Sequence, residues 1–305
     1  MKKHNIFSKT WYLLKMTFLE FNDDNAIKLS AALSYYTIFA LPPLLIIIIT
    51  ICGVFFGEEA VTGQLYGQIN RLVGNNAAIQ IQEAIKNVQL SDSNIFVTIF
   101  GVVMLLIGAS GVFAEIQSSI NYIWGLRAKP NRGLRKFIQN RIMSFSMIVS
   151  VGFLMLVSLM INATLDVLNA RLKLYFPDTT VYFFYVVNLV IVFASITLLF
   201  AIIFRTLPDG VIKWKDAFIG ASCTAILFMI GKFAIGLYLG NSTVASVYGA
   251  AGSVIIILVW VYYSAIILYF GAEFTKVYAK AFGGSISPND YSVEIQKEIF
   301  EIETE

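Results

Sequence analysis

The chain has 305 residues, 58% of them hydrophobic and only 13% charged, with 22 Lys and Arg against 19 Asp and Glu for a net charge of +3. Soluble domains carry about 25% charged residues, so this composition, with a mean hydropathy of +0.75, excludes an ordinary soluble enzyme. It points to one membrane domain with no room for a separate soluble catalytic unit.

Residues 1–30 precede the first long apolar run and form an amphipathic segment. Phe7, Trp11, Leu14, Phe18 and Phe21 recur at steps of four and three, one apolar stripe of a helix with Lys9 and Lys15 off it. This pattern predicts a helix in the membrane interface, packed under the bundle or lying beside it. No cleavable signal peptide is expected, because the run that follows is too long for a signal core.

Six apolar runs then cover residues 31–56, 95–113, 142–165, 181–204, 217–239 and 247–270. A bilayer span needs about 20 mostly apolar residues. Backbone polar groups cannot stay unpaired in lipid, and unbroken apolarity does not fit the alternation of a barrel strand. The expected fold is therefore an all-α polytopic membrane protein with six transmembrane helices, occupying residues 31–283. The N-terminal interfacial helix precedes it and an acidic tail over 284–305 follows.

In the first run, Leu41-Pro42-Pro43 falls close to mid-span. Tandem prolines remove two backbone donors and should kink or break the helix, either as a structural bend or to line a cavity. Residues 57–94 form the one long outer loop. Leu65, Ile69 and Leu72 suggest one short helix and Ile81, Ile85 and Val88 another, with a turn at Gly74-Asn75-Asn76, giving an outer helical hairpin. The second run carries Gly101, Gly108, Gly111 and Glu115 on one face, continued by Ser118 and Tyr122. Small residues permit close helix approach, so this face is expected to look inward.

Glu115, Arg205, Asp209, Asp216 and Glu273 share one depth at the inner ends of the runs, where they could form a polar ring. Such a ring is either a structural ion-pair network or a gate or proton site. Nearer the outside, Lys232 lies within the fifth run, with Asn188, Asn162 and Asp166 at similar depth. It either snorkels, pairs with Asp166 or meets an anionic substrate group. Gly220, Ala221, Thr224 and Ala225, and the Tyr248–Ser253 stretch, suit close helix crossing. From Ser285 the tail is polar and acidic, which predicts a mobile or surface segment. Cys52 and Cys223 lie at different depths and do not suit a disulfide.

Lys and Arg are distributed unevenly. Lys2, Lys3, Lys9, Lys15 and Lys28, six residues over 127–141, Arg205, Lys213 and Lys215, and Lys276, Lys280 and Lys297 lie on one side, seventeen in all. Only Arg71, Lys86, Arg171 and Lys173 lie on the other. The positive-inside rule puts both termini in the cytoplasm. His4 is the one histidine; no Cys/His/Asp cluster has metal-ligand spacing, no phosphate-binding glycine loop is present and no Ser–His pair can be built. The chain reads as a non-enzyme with no catalytic, cofactor-binding or metal residues. The basic stretch over 127–141 reads as topogenic charge facing anionic lipid rather than as a nucleic-acid site.

Several segments resemble the YihY/BrkB family of bacterial inner-membrane proteins, once labelled ribonuclease BN. They are Ala31-Ala32-Leu33-Ser34-Tyr35-Tyr36 with Pro42-Pro43, Asn121-Tyr122-Ile123-Trp124-Gly125, and Leu207-Pro208-Asp209 with Trp214-Lys215-Asp216-Ala217 and Gly220-Ala221. The last runs from Tyr248-Gly249-Ala250 through Trp260-Val261-Tyr262-Tyr263 to Gly271-Ala272-Glu273. The resemblance spans nearly the whole chain in order. It implies a six-helix inner-membrane fold with cytoplasmic termini and supplies no settled activity.

Together these readings suggest a transporter or exporter of a small or amphiphilic solute, lipids included. Pro42 and Pro43 would shape its cavity, Glu115 and Glu273 with Arg205 and Asp209 would form the inner gate or proton site, and Lys232 would attract an anionic group. The alternative is a non-transporting envelope scaffold or assembly factor. The expected partners are membrane lipids and the solute, without nucleic acid; the sequence permits a homo-oligomer.

Overall fold

The computed structural model describes residues 6–73, 78–79, 82–83, 95–129, 146, 150, 177–240 and 251–295. The expected span over 142–165 apart from residues 146 and 150, most of the second half of the outer hairpin, Asn162, Asp166 and the segment 241–250 lie outside the described residues. The chain forms helices α1 (Ile6–Asp23), α2 (Ala26–Phe56), α3 (Glu58–Val73), α4 (Ile95–Ile123), α5 (Pro177–Thr206), α6 (Trp214–Gly240) and α7 (Ala251–Phe282). Four short strands accompany them: β1 (Leu126–Ala128), β2 (Gly210–Val211), β3 (Ser287–Pro288) and β4 (Ser292–Glu294).

Three stretches are long and apolar enough to cross a membrane among the described residues, namely Val186–Thr206, Trp214–Ile235 and Val254–Phe282. They differ in how much protein surrounds them. In their most apolar windows 22%, 33% and 44% of residues are buried, respectively. The last helix, α7, is thus the central post. It packs against α1, α2, α4 and α6, while α2 also packs on α4 and α5 on α6.

Helix α2 runs without interruption through Pro42 and Pro43 for 31 residues. The expected break is absent. Each proline removes one backbone donor, but the apolar residues on both sides retain theirs, and in lipid every other intrahelical bond favours continuing the helix. A tight turn joins α1 to α2 at Asn25, which holds φ at 51°, a left-handed conformation that asparagine tolerates better than most side chains.

The stripe on α1 faces outward for most of its length. Trp11 and Phe18 are each 65% exposed, whereas Leu13, Thr17 and Phe21 are buried. Leu13 meets Phe274 and Val277 of α7, with Met16, Ile219 and Tyr278 around them. Helix α1 is therefore apolar on two sides, one fastened to the bundle and one exposed among the described residues.

The face of α4 expected to look inward is also displaced. Ser118 and Tyr122 are exposed, and Gly111 opens on empty space. The inward face is instead Val112, Phe113, Ile116, Ser119, Ile120 and Ile123. The apolar ones join Leu33, Phe204, Leu207, Tyr269 and Ala272 in the main core. Glycine spacing indicated a close approach, but the larger apolar surface on the neighbouring face gains more by burial.

Helices α6 and α7 cross through reciprocal notches. A Cβ at Gly220 would collide with Thr275, and one at Gly271 with Thr224. Each threonine hydroxyl donates to the carbonyl of the glycine one turn back, Thr224 to Gly220 at 2.8 Å and Thr275 to Gly271 at 2.7 Å. The hydroxyls are thus satisfied within their own helices, and each threonine's Oγ1, with its Cβ and methyl behind, fills the opposing notch. The small-residue surface of α6 serves close crossing as its composition suggests, and its partner is the Gly271–Thr275 pair.

The tail is held down in its first part. Strand β4 pairs antiparallel with β1, with Leu126 opposite Glu294, and β3 pairs with β2, with Gly210 opposite Pro288. Residues 287–294 therefore clasp the chain that follows α4 and α5, so of the two expectations for this stretch, mobile or surface, they form a paired surface segment. Gly125 makes this geometry available. It holds φ at 68°, and a Cβ there would press on the Ile295 carbonyl at 3.1 Å, so the chain turns directly from α4 into β1.

Candidate functional site

The polar groups concentrate at the end of the bundle where α1, α4, α7 and the strands meet. At its centre is Lys276. Its ammonium lies 2.6 Å from Glu20 Oε2, 3.1 Å from Asp24 Oδ2 and 3.0 Å from Glu273 Oε2. It also donates to the Ile123 carbonyl at the end of α4, at 2.8 Å. One lysine thus ties together α1, the turn after it, α4 and its own helix.

Burial makes the arrangement matter. The side chains of Lys276 and Asp24 are 8% and 10% exposed, and that of Glu273 is fully buried. Removing charges from water is costly unless each finds a partner. Glu273 is only partly compensated: beyond its ion pair, neither carboxylate oxygen has a hydrogen-bond partner, and Asp24 lies beside it. Three carboxyl groups around one ammonium leave an excess of negative charge in a low-dielectric site.

One helical turn along α7 from Glu273 lies Tyr269, fully buried, whose hydroxyl has no hydrogen bond of good geometry. It lies close to Ser119 and Glu115 of α4. Ser119 donates to Glu115 Oε1 at 3.4 Å, and Glu115 is half-buried. In the other direction the lysine opens on a cavity of about 700 Å³, whose wall includes Glu20, Asp23, Asp24, Lys280 and Glu294 with Leu19 and Trp124. The Trp124 indole donates to the Ala272 carbonyl at 3.0 Å, fixing that wall to α7.

The expected polar ring separates into distinct clusters. Asp209 belongs to a cradle of its own: Asn121 and Gln117 of α4 donate to its carboxylate at 2.9 and 3.3 Å, and its backbone N–H donates to Asn121 Oδ1 at 2.8 Å. Its carbonyl accepts from Ser292 Oγ at 2.7 Å and from the Asn289 N–H at 3.0 Å. Arg205 lies over the Trp214 ring, 5.8 Å from the centroid. Asp216 is buried in the first turn of α6, against Gly283, where no side chain would fit; a carboxylate there complements the helix dipole. Glu115 lies beside Ser119 and Tyr269, whereas Glu273 belongs to the Lys276 cluster.

Lys232 is exposed on α6, beside exposed Ile230 and Phe233, and Asn188 is exposed on α5. They lie apart from the Lys276 site. Pro42 and Pro43 are known here only by their place in α2. Lys276 itself and its partners Glu20 and Asp24 escape sequence reasoning, which counts Lys276 among topogenic charges beyond the last apolar run. The available signal was spacing: Tyr269, Glu273 and Lys276 stand at i, i+4 and i+7, and Glu20 and Asp24 are four apart. Among the described residues no group of three or more His, Cys, Asp or Glu is placed to hold a metal ion.

The chain resembles curated membrane proteins over most of its length. It is 27% identical to a UPF0761 membrane protein of Saccharophagus degradans over 263 residues, covering 86% of this chain and 58% of that protein. Against a UPF0761 membrane protein of Teredinibacter turnerae identity is 27% over 266 residues, covering 87% and 60%. A relative from Alteromonas mediterranea is also 27% identical, over 262 residues, and 85% of each chain is covered. The chain thus spans less than two thirds of the length of the first two relatives. No solved structure matches it significantly. The profile of the family described as virulence factor BrkB matches residues 17–293, which takes in α2 to α7, β1 to β3 and every residue of the Lys276 cluster. The chain therefore belongs to the YihY/BrkB family of membrane proteins.

Proposed function

We propose that this protein is a transporter or exporter of a small or amphiphilic solute, lipids included, in a bacterial plasma membrane. Its helices cross the bilayer six times, with both termini in the cytoplasm. The observation that carries this reading is the buried Glu273–Lys276 pair, bound by Glu20 and Asp24 beneath a cavity of about 700 Å³. Charged residues within membrane helices are costly and usually mark pathways or coupling sites. Helix α1 carries Glu20 at one end and an exposed apolar face along its length, so movement of α1 in the interface would open or close the cluster. Cavity, gate charges and mobile partner lie at the cytoplasmic end on this topology, which suits an inner gate.

Native mass spectrometry of the full-length protein in mild detergent tests this, comparing wild type with Glu273→Gln and Glu115→Gln. A defined solute or lipid retained by wild type and lost in the variants is the expected result. Identical non-specific lipid in all three would instead favour a scaffold whose buried charges only hold helices together.

A further inference from the structure

Arg205 stands apart from the Lys276 site. It is the penultimate residue of α5 and of the apolar stretch Val186–Thr206, so its charge falls where that stretch leaves the hydrocarbon for the headgroup layer. We propose that Arg205 and Trp214, with Lys213 and Lys215, form a binding site for the phosphate of an anionic membrane lipid. The site is independent of the transport reading and stands whether or not the chain moves a solute.

The guanidinium has no anion. Arg205 is half-buried and its Nε is sealed from solvent without an acceptor. Among the described residues no carboxylate lies within ion-pair distance of it. The acids nearest to it in sequence are committed elsewhere. Asp209 is held by Asn121 and Gln117, and Asp216 is buried against Gly283. The dipole at the end of α5 favours a positive charge here, yet Nε still lacks an acceptor, and a buried donor left unpaired is costly.

The guanidinium is nevertheless held in place. It lies over the Trp214 ring, 5.8 Å from the centroid, and Trp214 packs on Phe218 with 5.8 Å between ring centroids. A ring contact engages the cation without consuming any of its N–H donors. Two donors on one edge of a guanidinium match two oxygens of a phosphate.

The surroundings suit an amphiphile better than a free ion. Lys213 and Lys215 flank Trp214 and are exposed, which adds two positive charges. Trp214 and Phe218 are 50% and 39% exposed, so apolar surface adjoins the cations. A lipid would place its phosphate on Arg205 and an acyl chain along the two rings, whereas inorganic phosphate would use the charges alone. Clustered cations at the end of a span also draw anionic lipid to the site.

Thermal melts of the delipidated full-length protein in neutral detergent, titrated with phosphatidylglycerol, test the site. The midpoint of wild type should rise with added lipid, and phosphatidylcholine, whose phosphate is neutralised by its own choline, should raise it far less. Arg205→Gln should weaken the apparent phosphatidylglycerol affinity about tenfold or more, as expected for lost hydrogen bonds to a charged group. Lys28→Gln removes an exposed charge elsewhere and should change the affinity little. Arg205→Lys keeps the charge and should recover only part of the affinity, because an ammonium cannot make the paired edge contact. If Arg205→Gln does not fold, the exposed pair Lys213→Gln and Lys215→Gln carries the test, and should weaken binding more than Lys28→Gln does. Equal affinities in Arg205→Gln and Lys28→Gln, or full affinity in Arg205→Lys, overturn the proposal. Inorganic phosphate distinguishes the source: equal stabilisation by it, lost in Arg205→Gln, would overturn the lipid assignment in favour of a soluble anion.

Discussion

Lys276 ties α1, the turn after it and the end of α4 to its own helix. Its ammonium is the shared partner of Glu20, Asp24, Glu273 and the Ile123 carbonyl. Removing one member of a buried ion pair costs about 3–5 kcal/mol, because the other charge is left uncompensated. Lys276→Met should therefore lower the thermal midpoint in detergent strongly, and adding Glu273→Gln should recover part of that loss, since Glu273 is the deepest of the three carboxyls. Equal midpoints for wild type and Lys276→Met would show that the cluster does not stabilise the fold. Asn121 sits in a simpler case, gripping Asp209 through both its amide nitrogen and its oxygen. Asn121→Ala should cost about 1.5–3 kcal/mol, the range for bonds to a charged group, measurable in the same melts. Asp209 was legible from the sequence as an important polar residue. Its partners were not, because Asn121 and Asp209 are 88 residues apart and no local pattern joins them.

Among the elements, the α6–α7 crossing makes the sharpest claim. Each glycine accepts the opposing threonine so closely that a methyl group has no place. Gly220→Ala or Gly271→Ala should destabilise by about 1–3 kcal/mol, the usual cost of overpacking. Thr275→Ala should relieve Gly220→Ala only partly, because the Thr275 Cβ would itself stand 2.8 Å from the new methyl. Melting curves of the two single variants and the pair decide this, and additive losses would rule out the notch. Composition showed that Gly220, Ala221, Thr224 and Ala225 favour close packing. It did not show which face of α4 is buried: glycines at 108 and 111 suggested one face, and the aliphatic bulk of Ile116, Ile120 and Ile123 determined another. The tail shows the same limit. Its polar, acidic composition hid the alternation of Tyr291, Val293 and Ile295, and only partner strands from elsewhere in the chain make that alternation a sheet.

At the scale of the whole molecule, the proposed topology is directly testable. In a background with Cys52 and Cys223 replaced, cysteines at positions 3 and 297 should react with an impermeant reagent only after the cells are opened. A cysteine at position 83, in the outer loop, should react in intact cells. Labelling at position 3 in intact cells would refute cytoplasmic termini. The membrane class and the family were readable from sequence because they depend on sums along the chain. Apolar length counts against bilayer thickness, and neither depends on which helices touch. The individual charges of the site were readable too, since a Glu, an Asp or a Lys near a long apolar run stands out wherever it points. Their grouping was decided only by the tertiary structure. Lys276 meets Asp24 across 252 residues of sequence, and that meeting depends on α1 folding back under α7 and on the turn at Asn25. Hydrophobic burial is additive and non-directional, so a sequence displays it; pairing of charges is short-ranged and directional, so it exists only once the helices are in place.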